Sequence, residues 1–128
     1  MYLRFKTSFV DSYQDTRYGV FQAAYYLLHS SDMYLYDEER LKEVWHWFSN
    51  NLRAPHVFKQ SKREVNAICW YKPDAKEHLQ KMYEMIHILE LYGYHVWQIK
   101  CHNPGYIVYE DDEQIAVITH GKLFRDVR

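Results

Sequence analysis

The spacing of apolar and polar positions changes several times along the chain, and each change marks an element. Tyr2 to Ser8 alternate, with Leu3 and Phe5 set between charged side chains, which predicts a first strand. The period then lengthens. Val20, Ala24, Leu27 and Leu28 share one face of a helix capped by Asp15 or Thr16 and running to about His29. After Ser30-Ser31-Asp32, a second helix begins near Asp37, where Glu38 and Glu39 complement the positive end of the helix dipole. Leu41, Val44, Trp45, Phe48 and Leu52 form its apolar stripe, and the two helices are expected to pack as an antiparallel hairpin.

Pro55 ends that helix, and the basic segment Arg53 to Glu64 reads as an exposed connection. Val65 to Tyr71 is almost continuously apolar, the signature of a strand covered on both faces. Pro73-Asp74 opens a third helix, with Ala75, Leu79, Met82, Ile86 and Leu89 on one face. Gly93 is placed to end it by adopting a positive φ. Three short strands follow: Tyr94 to Cys101, Tyr106 to Tyr109, and Gln114 to Thr119. Asn103-Pro104-Gly105 and the acidic run Glu110 to Glu113 are the turns between them. The order β-α-α-β-α-β-β-β predicts an α+β fold. Its expected form is one mixed β-sheet with an N-terminal helical hairpin, a central parallel βαβ unit and a closing antiparallel meander.

At 128 residues the whole span 1–128 is read as a single α+β domain. Its formal net charge of -1 gives no general field toward nucleic acid or an anionic membrane, which argues against nucleic acid as a partner. No apolar run reaches the roughly 20 residues of a membrane helix. The N-terminal Met1-Tyr2-Leu3-Arg4-Phe5-Lys6 interrupts any signal-like segment with charge. A cytoplasmic location is therefore expected, with Cys69 and Cys101 as reduced thiols. Aromatic residues depart most from average: 13 Tyr, 6 Phe and 4 Trp. Such side chains build cores and also supply interface energy.

The candidate chemistry follows from the expected βαβ unit. Parallel strands would bring Trp70, Tyr71, Lys72, Cys101, His102 and His120 to one sheet edge near the start of the third helix. Lys72 would neutralise a small anionic ligand there, and Trp70 or Tyr71 would stack on a ring. His78, on the third helix, reads either as a general base at that edge or as a core-flanking imidazole held by one hydrogen bond. The expected ligand-binding set is Trp70, Lys72, His78 and His102. No metal is expected, because adjacent strand residues such as Cys101 and His102 point to opposite faces. The run Glu110 to Glu113 lacks the spaced ligands of a calcium loop and reads as a solvated turn. No GxGxxG, P-loop or GxSxG pattern occurs, so no cofactor and no catalytic residue is assigned.

Two stretches carry a resemblance. One is Gly19-Val20-Phe21-Gln22-Ala23-Ala24-Tyr25, followed by Trp47-Phe48 and Asn51-Leu52. The other is Ile68-Cys69-Trp70-Tyr71-Lys72 with Pro104-Gly105-Tyr106-Ile107-Val108-Tyr109-Glu110-Asp111 and Gln114-Ile115. Together they resemble a family of small uncharacterised bacterial proteins over most of the chain. The resemblance implies a free-standing bacterial domain and supplies no activity.

The expected function is a non-enzymatic protein-interaction or binding module that self-associates, using exposed Trp47, Trp97 and several tyrosines. A second expectation is a small ligand-binding protein or enzyme at the edge near Lys72. A third is a phage-type inhibitor of a host defence enzyme, since such proteins are small and free of motifs.

Overall fold

The computed structural model describes residues 1–10, 16–30, 32–54 and 67–118. Most of the basic connection after Arg53, together with Val65, Asn66 and His120, lies outside them. The protein is α+β. Its elements are β1 (Tyr2–Val10), β2 (Thr16–Gly19), α1 (Val20–Leu28), α2 (Leu35–Asn51), β3 (Ile68–Tyr71), α3 (Lys76–Leu91), β4 (Val96–Cys101), β5 (Tyr106–Glu110) and β6 (Gln114–Ile118). Contacts divide the chain into two compact units. A strand unit comprises Met1–Arg4, Leu52–Lys76 and Lys100–Arg128, and a helical unit comprises Phe5–Asn51 and Glu77–Ile99.

In the strand unit, β3 pairs antiparallel with β1 through Leu3 and Tyr71, and antiparallel with β6 from Ile68 opposite Val117 to Tyr71 opposite Gln114. β5 pairs antiparallel with the other side of β6. β6 is therefore a middle strand. A middle strand covered on both faces needs apolar residues in succession, and Ile115, Ala116 and Val117 are all fully buried. Side-chain alternation puts Trp70 and Ile115 on one face, and Tyr71 and Gln114 on the other.

The helical unit holds α1, α2 and nearly all of α3. Phe21 packs edge-on against Phe48 at 5.1 Å and against Trp45 at 6.2 Å, and Tyr25 reaches Trp45 at 6.3 Å. Moving forward along α1 moves backward along α2, so the pair forms the expected antiparallel hairpin. Leu41, Val44 and Phe48 are the buried stripe of α2. α3 buries His78, Leu79, Met82, Met85, Ile88 and Leu89, one face at helical spacing. At its end, Gly93 takes φ +93°, while the Tyr94 amide donates to Leu89 O and the Gly93 amide to Glu90 O. This is a Schellman closure, in which a left-handed residue satisfies carbonyls the helix leaves open.

Three expectations are corrected. Thr16–Gly19 is strand β2, paired with β1, and α1 starts only at Val20. Gly19 precedes α1 in an extended conformation without a side-chain cap, so Thr16 does not start the helix, and Asp15 lies outside the described residues. The parallel pairing of β3 with β4 is not formed: β3 takes β1 and β6, while β4 pairs with β1. Nine residues long, β1 has room for β2, β3 and β4 at different points. The closing meander is likewise reduced to the β5–β6 hairpin, because β4 pairs with β1 and not with β5.

Candidate functional site

In the strand unit, the polar groups converge on the β5–β6 turn. Asp111 organises it. Its Oδ1 accepts the amides of Glu113 and Gln114, each at 2.9 Å, and its Oδ2 accepts the Tyr109 hydroxyl at 2.7 Å. The Asp111 amide in turn donates to Gln114 O at 3.0 Å. An aspartate at the head of a turn can close it by bonding amides two and three residues on, which explains a tight turn without glycine. Burial alone would raise the Asp111 carboxyl, but the Tyr109 hydroxyl and the two amides outweigh it and hold the group below its ordinary range. The buried Gln114 side chain donates from Nε2 to Arg53 O at 2.5 Å, tying the chain after α2 to the hairpin.

Lys72 is fastened to the same turn twice. Its amide donates to Glu113 O at 2.8 Å, and its ammonium donates to Glu110 Oε2 at 2.7 Å. A β-bulge between Ile107 and Tyr109 shifts the register so that Glu110 stands opposite Ile115. That change turns Glu110 to the Trp70 face, where Lys72 also lies. The bond to Glu110 keeps Lys72 protonated above its ordinary range. The acidic run expected to be a solvated turn is thus a built one, in which two of its four carboxylates have structural tasks.

The Trp70 ring is buried, with Arg4 stacked over it at 6.0 Å, and its indole N–H has no hydrogen-bond partner among the described residues. Cys69 is pushed up to about 11, first by burial and then by the Asp111 charge, with Arg4 opposing. Such a thiol is neutral at physiological pH and a poor nucleophile. His102 is exposed just past β4, and no hydrogen bond joins it to a described residue. The strand unit therefore places Trp70 and Lys72 on one strand face, gives Lys72 an acidic partner and links His102 to neither.

His78 belongs to the helical unit and takes the core-flanking role. Its Nε2 donates to Asn51 O at 2.8 Å, at the last residue of α2, and its ring packs on Trp47 at 4.8 Å. It thereby satisfies one of the carbonyls that every helix end leaves open. Trp47 is also covered by Lys81 at 5.9 Å and is half-buried, so it is not part of an exposed patch.

Large exposed side chains occur in both units: Tyr106 and Ile107 on β5 of the strand unit, and a longer set in the helical unit. Tyr34, Leu35 and Tyr36 are 79%, 70% and 70% exposed, a run of three large side chains at the start of α2. Leu91 at the end of α3 and Trp97 on β4 are also exposed. The two helix ends meet through Tyr92, whose hydroxyl donates to Asp37 Oδ2 at 2.7 Å and accepts the Tyr34 amide at 3.0 Å. Beside them opens a cleft of about 490 Å³ lined by Leu27, Ser30, Asp32, Tyr92, Tyr94 and Trp97. The sequence reading singled out Trp97 but not this cleft, because its walls come from the α1–α2 connection and from the turn after α3.

Among the described residues, no three His, Cys, Asp or Glu side chains gather as a metal site requires, and no helix is long and apolar enough to cross a membrane. No protein-family model matches the chain, and no curated protein or solved structure is found similar to it.

Proposed function

We propose that the chain is a non-enzymatic protein-interaction module that self-associates through the aromatic surface of its helical unit. The observation that carries this reading is the exposed run Tyr34-Leu35-Tyr36, with Leu91 and Trp97 exposed on other elements of the same unit. Apolar side chains scattered singly are ordinary on a surface, whereas several in one region signal a contact. Tyrosine and tryptophan give much contact area for little lost side-chain freedom, which suits them to binding surfaces. The polar candidates support the same reading. Lys72, Asp111 and His78 each hold a structural partner, and Cys69 is a neutral thiol.

Sedimentation velocity across a wide concentration range tests this. The expected result is a sedimentation coefficient that rises with concentration toward that of a dimer. A coefficient fixed at the monomer value throughout would count against it.

A further inference from the structure

The cleft of the helical unit has a composition that specifies its occupant. Three of its wall residues are Tyr92, Tyr94 and Trp97, and its charged wall residue is the exposed carboxylate of Asp32. Among the described residues no lysine or arginine lines it. Among the described residues Asp32 forms no ion pair and no lysine or arginine lies over Trp97, whose ring packs against the His95 imidazole at 4.5 Å in a T-shaped contact. Aromatic faces carry negative potential, and combined with a carboxylate they attract organic cations.

The protein uses this chemistry internally at three places. Arg4 lies over Trp70, Arg40 over Tyr36 at 5.7 Å and Lys81 over Trp47 at 5.9 Å. In the cleft the same residue types are present, and among the described residues no lysine or arginine accompanies them.

The walls are also held in place. Tyr92 is fixed by its bonds to Asp37 and Tyr34, and Tyr94 follows the Schellman closure at Gly93. The backbone of His95, another lining residue, accepts the Thr7 hydroxyl at 2.6 Å. Walls that need no ordering lose less freedom on binding. A volume of about 490 Å³ accommodates a long side chain.

We infer that this cleft receives the ammonium group of a lysine side chain, methylated or not, presented by a partner protein. This rests on the reading of the helical unit as a protein-contact surface, and it adds the chemistry by which a partner is chosen.

The test is a titration of the whole protein with N-acetyl-trimethyllysine amide, followed by NMR through the Trp97 indole N–H. The W97F variant identifies that signal by its loss. The neutral isostere, with a tert-butyl group in place of trimethylammonium, is titrated in parallel. The expected result is a saturable shift with the ammonium compound and a much weaker one with the isostere. Asp32→Asn should weaken ammonium binding by about two- to fivefold, and Asp112→Asn, in the strand unit, should leave it unchanged. Equal shifts with both compounds, or none with either at millimolar concentration, would overturn the assignment. Light scattering on the same samples separates the two ideas. Lost cation recognition with association intact removes the cleft assignment alone, and a strict monomer that still binds the amide removes self-association alone.

Discussion

The two units deal with their side chains in opposite ways. The strand unit turns polar groups inward onto one another: Asp111 binds its own turn, Gln114 reaches Arg53 O, and Lys72 is closed by Glu110. The helical unit buries a largely apolar stripe, with His78 in it, and exposes three large side chains in succession at Tyr34, Leu35 and Tyr36, against Tyr106 and Ile107 in the strand unit. Both units rest on apolar cores, but the polar groups of the strand unit are taken up by its turn, while the start of α2 in the helical unit presents large side chains to water.

The largest effect that separates these roles belongs to the cores. Ile115→Ala should lower unfolding free energy by roughly 2–5 kcal/mol through lost transfer energy and a residual cavity, as read by urea denaturation. A cost under about 1 kcal/mol would mean that β6 is not the buried strand described.

Asp111→Ala comes next, at about 1–3 kcal/mol, because buried amides and a hydroxyl lose their acceptor. Its acid dependence follows from the depressed carboxyl. A carboxyl held low when folded contributes stability that is present above its unfolded pKa of about 4 and lost as the pH falls through the lower folded value. Wild type should therefore lose more stability than Asp111→Ala as the pH falls below about 4. Parallel pH profiles would contradict this.

Gly93→Ala should cost about 1–2 kcal/mol. Among the described residues nothing lies within 4 Å of an added Cβ, so the cost is that of the backbone conformation at φ +93°. An unchanged denaturation midpoint would show that the closure of α3 is not held there.

Cys69 offers a smaller chemical contrast. Its raised thiol should react with iodoacetamide many times more slowly at pH 8 in the native protein than after denaturation. Stability tied to this neutral thiol is present below the unfolded value near 8.5 and declines as the pH rises toward the folded value of about 11. Equal labelling rates in the two states would contradict the buried setting.

The elements that local physics dictates were legible in the sequence. The helical period of α3, the stop at Gly93 and the apolar run into β3 each follow from period or backbone freedom, although Met85 and Ile88 fill the buried face of α3 where Ile86 was expected. The strand pairing was not, because β1, β4 and β6 compete for partners through long-range contacts that no local pattern ranks. That is why Lys72 was expected at an open edge and is instead paired with Glu110. Asp111 carried a readable signal, an aspartate at the head of a turn, which a search for cation ligands passed over. The walls of the aromatic cleft are more than 60 residues apart in the chain (Asp32 and Trp97), so only the fold assembles them.

The account depends most on the exposed run at the start of α2. Its direct test compares wild type with a Tyr34→Ser, Leu35→Ser, Tyr36→Ser variant by light scattering at matched concentrations. Wild type should associate and the variant should remain monomeric, with a denaturation midpoint close to that of wild type because these side chains are already in water. A variant that associates as strongly as wild type would contradict the account.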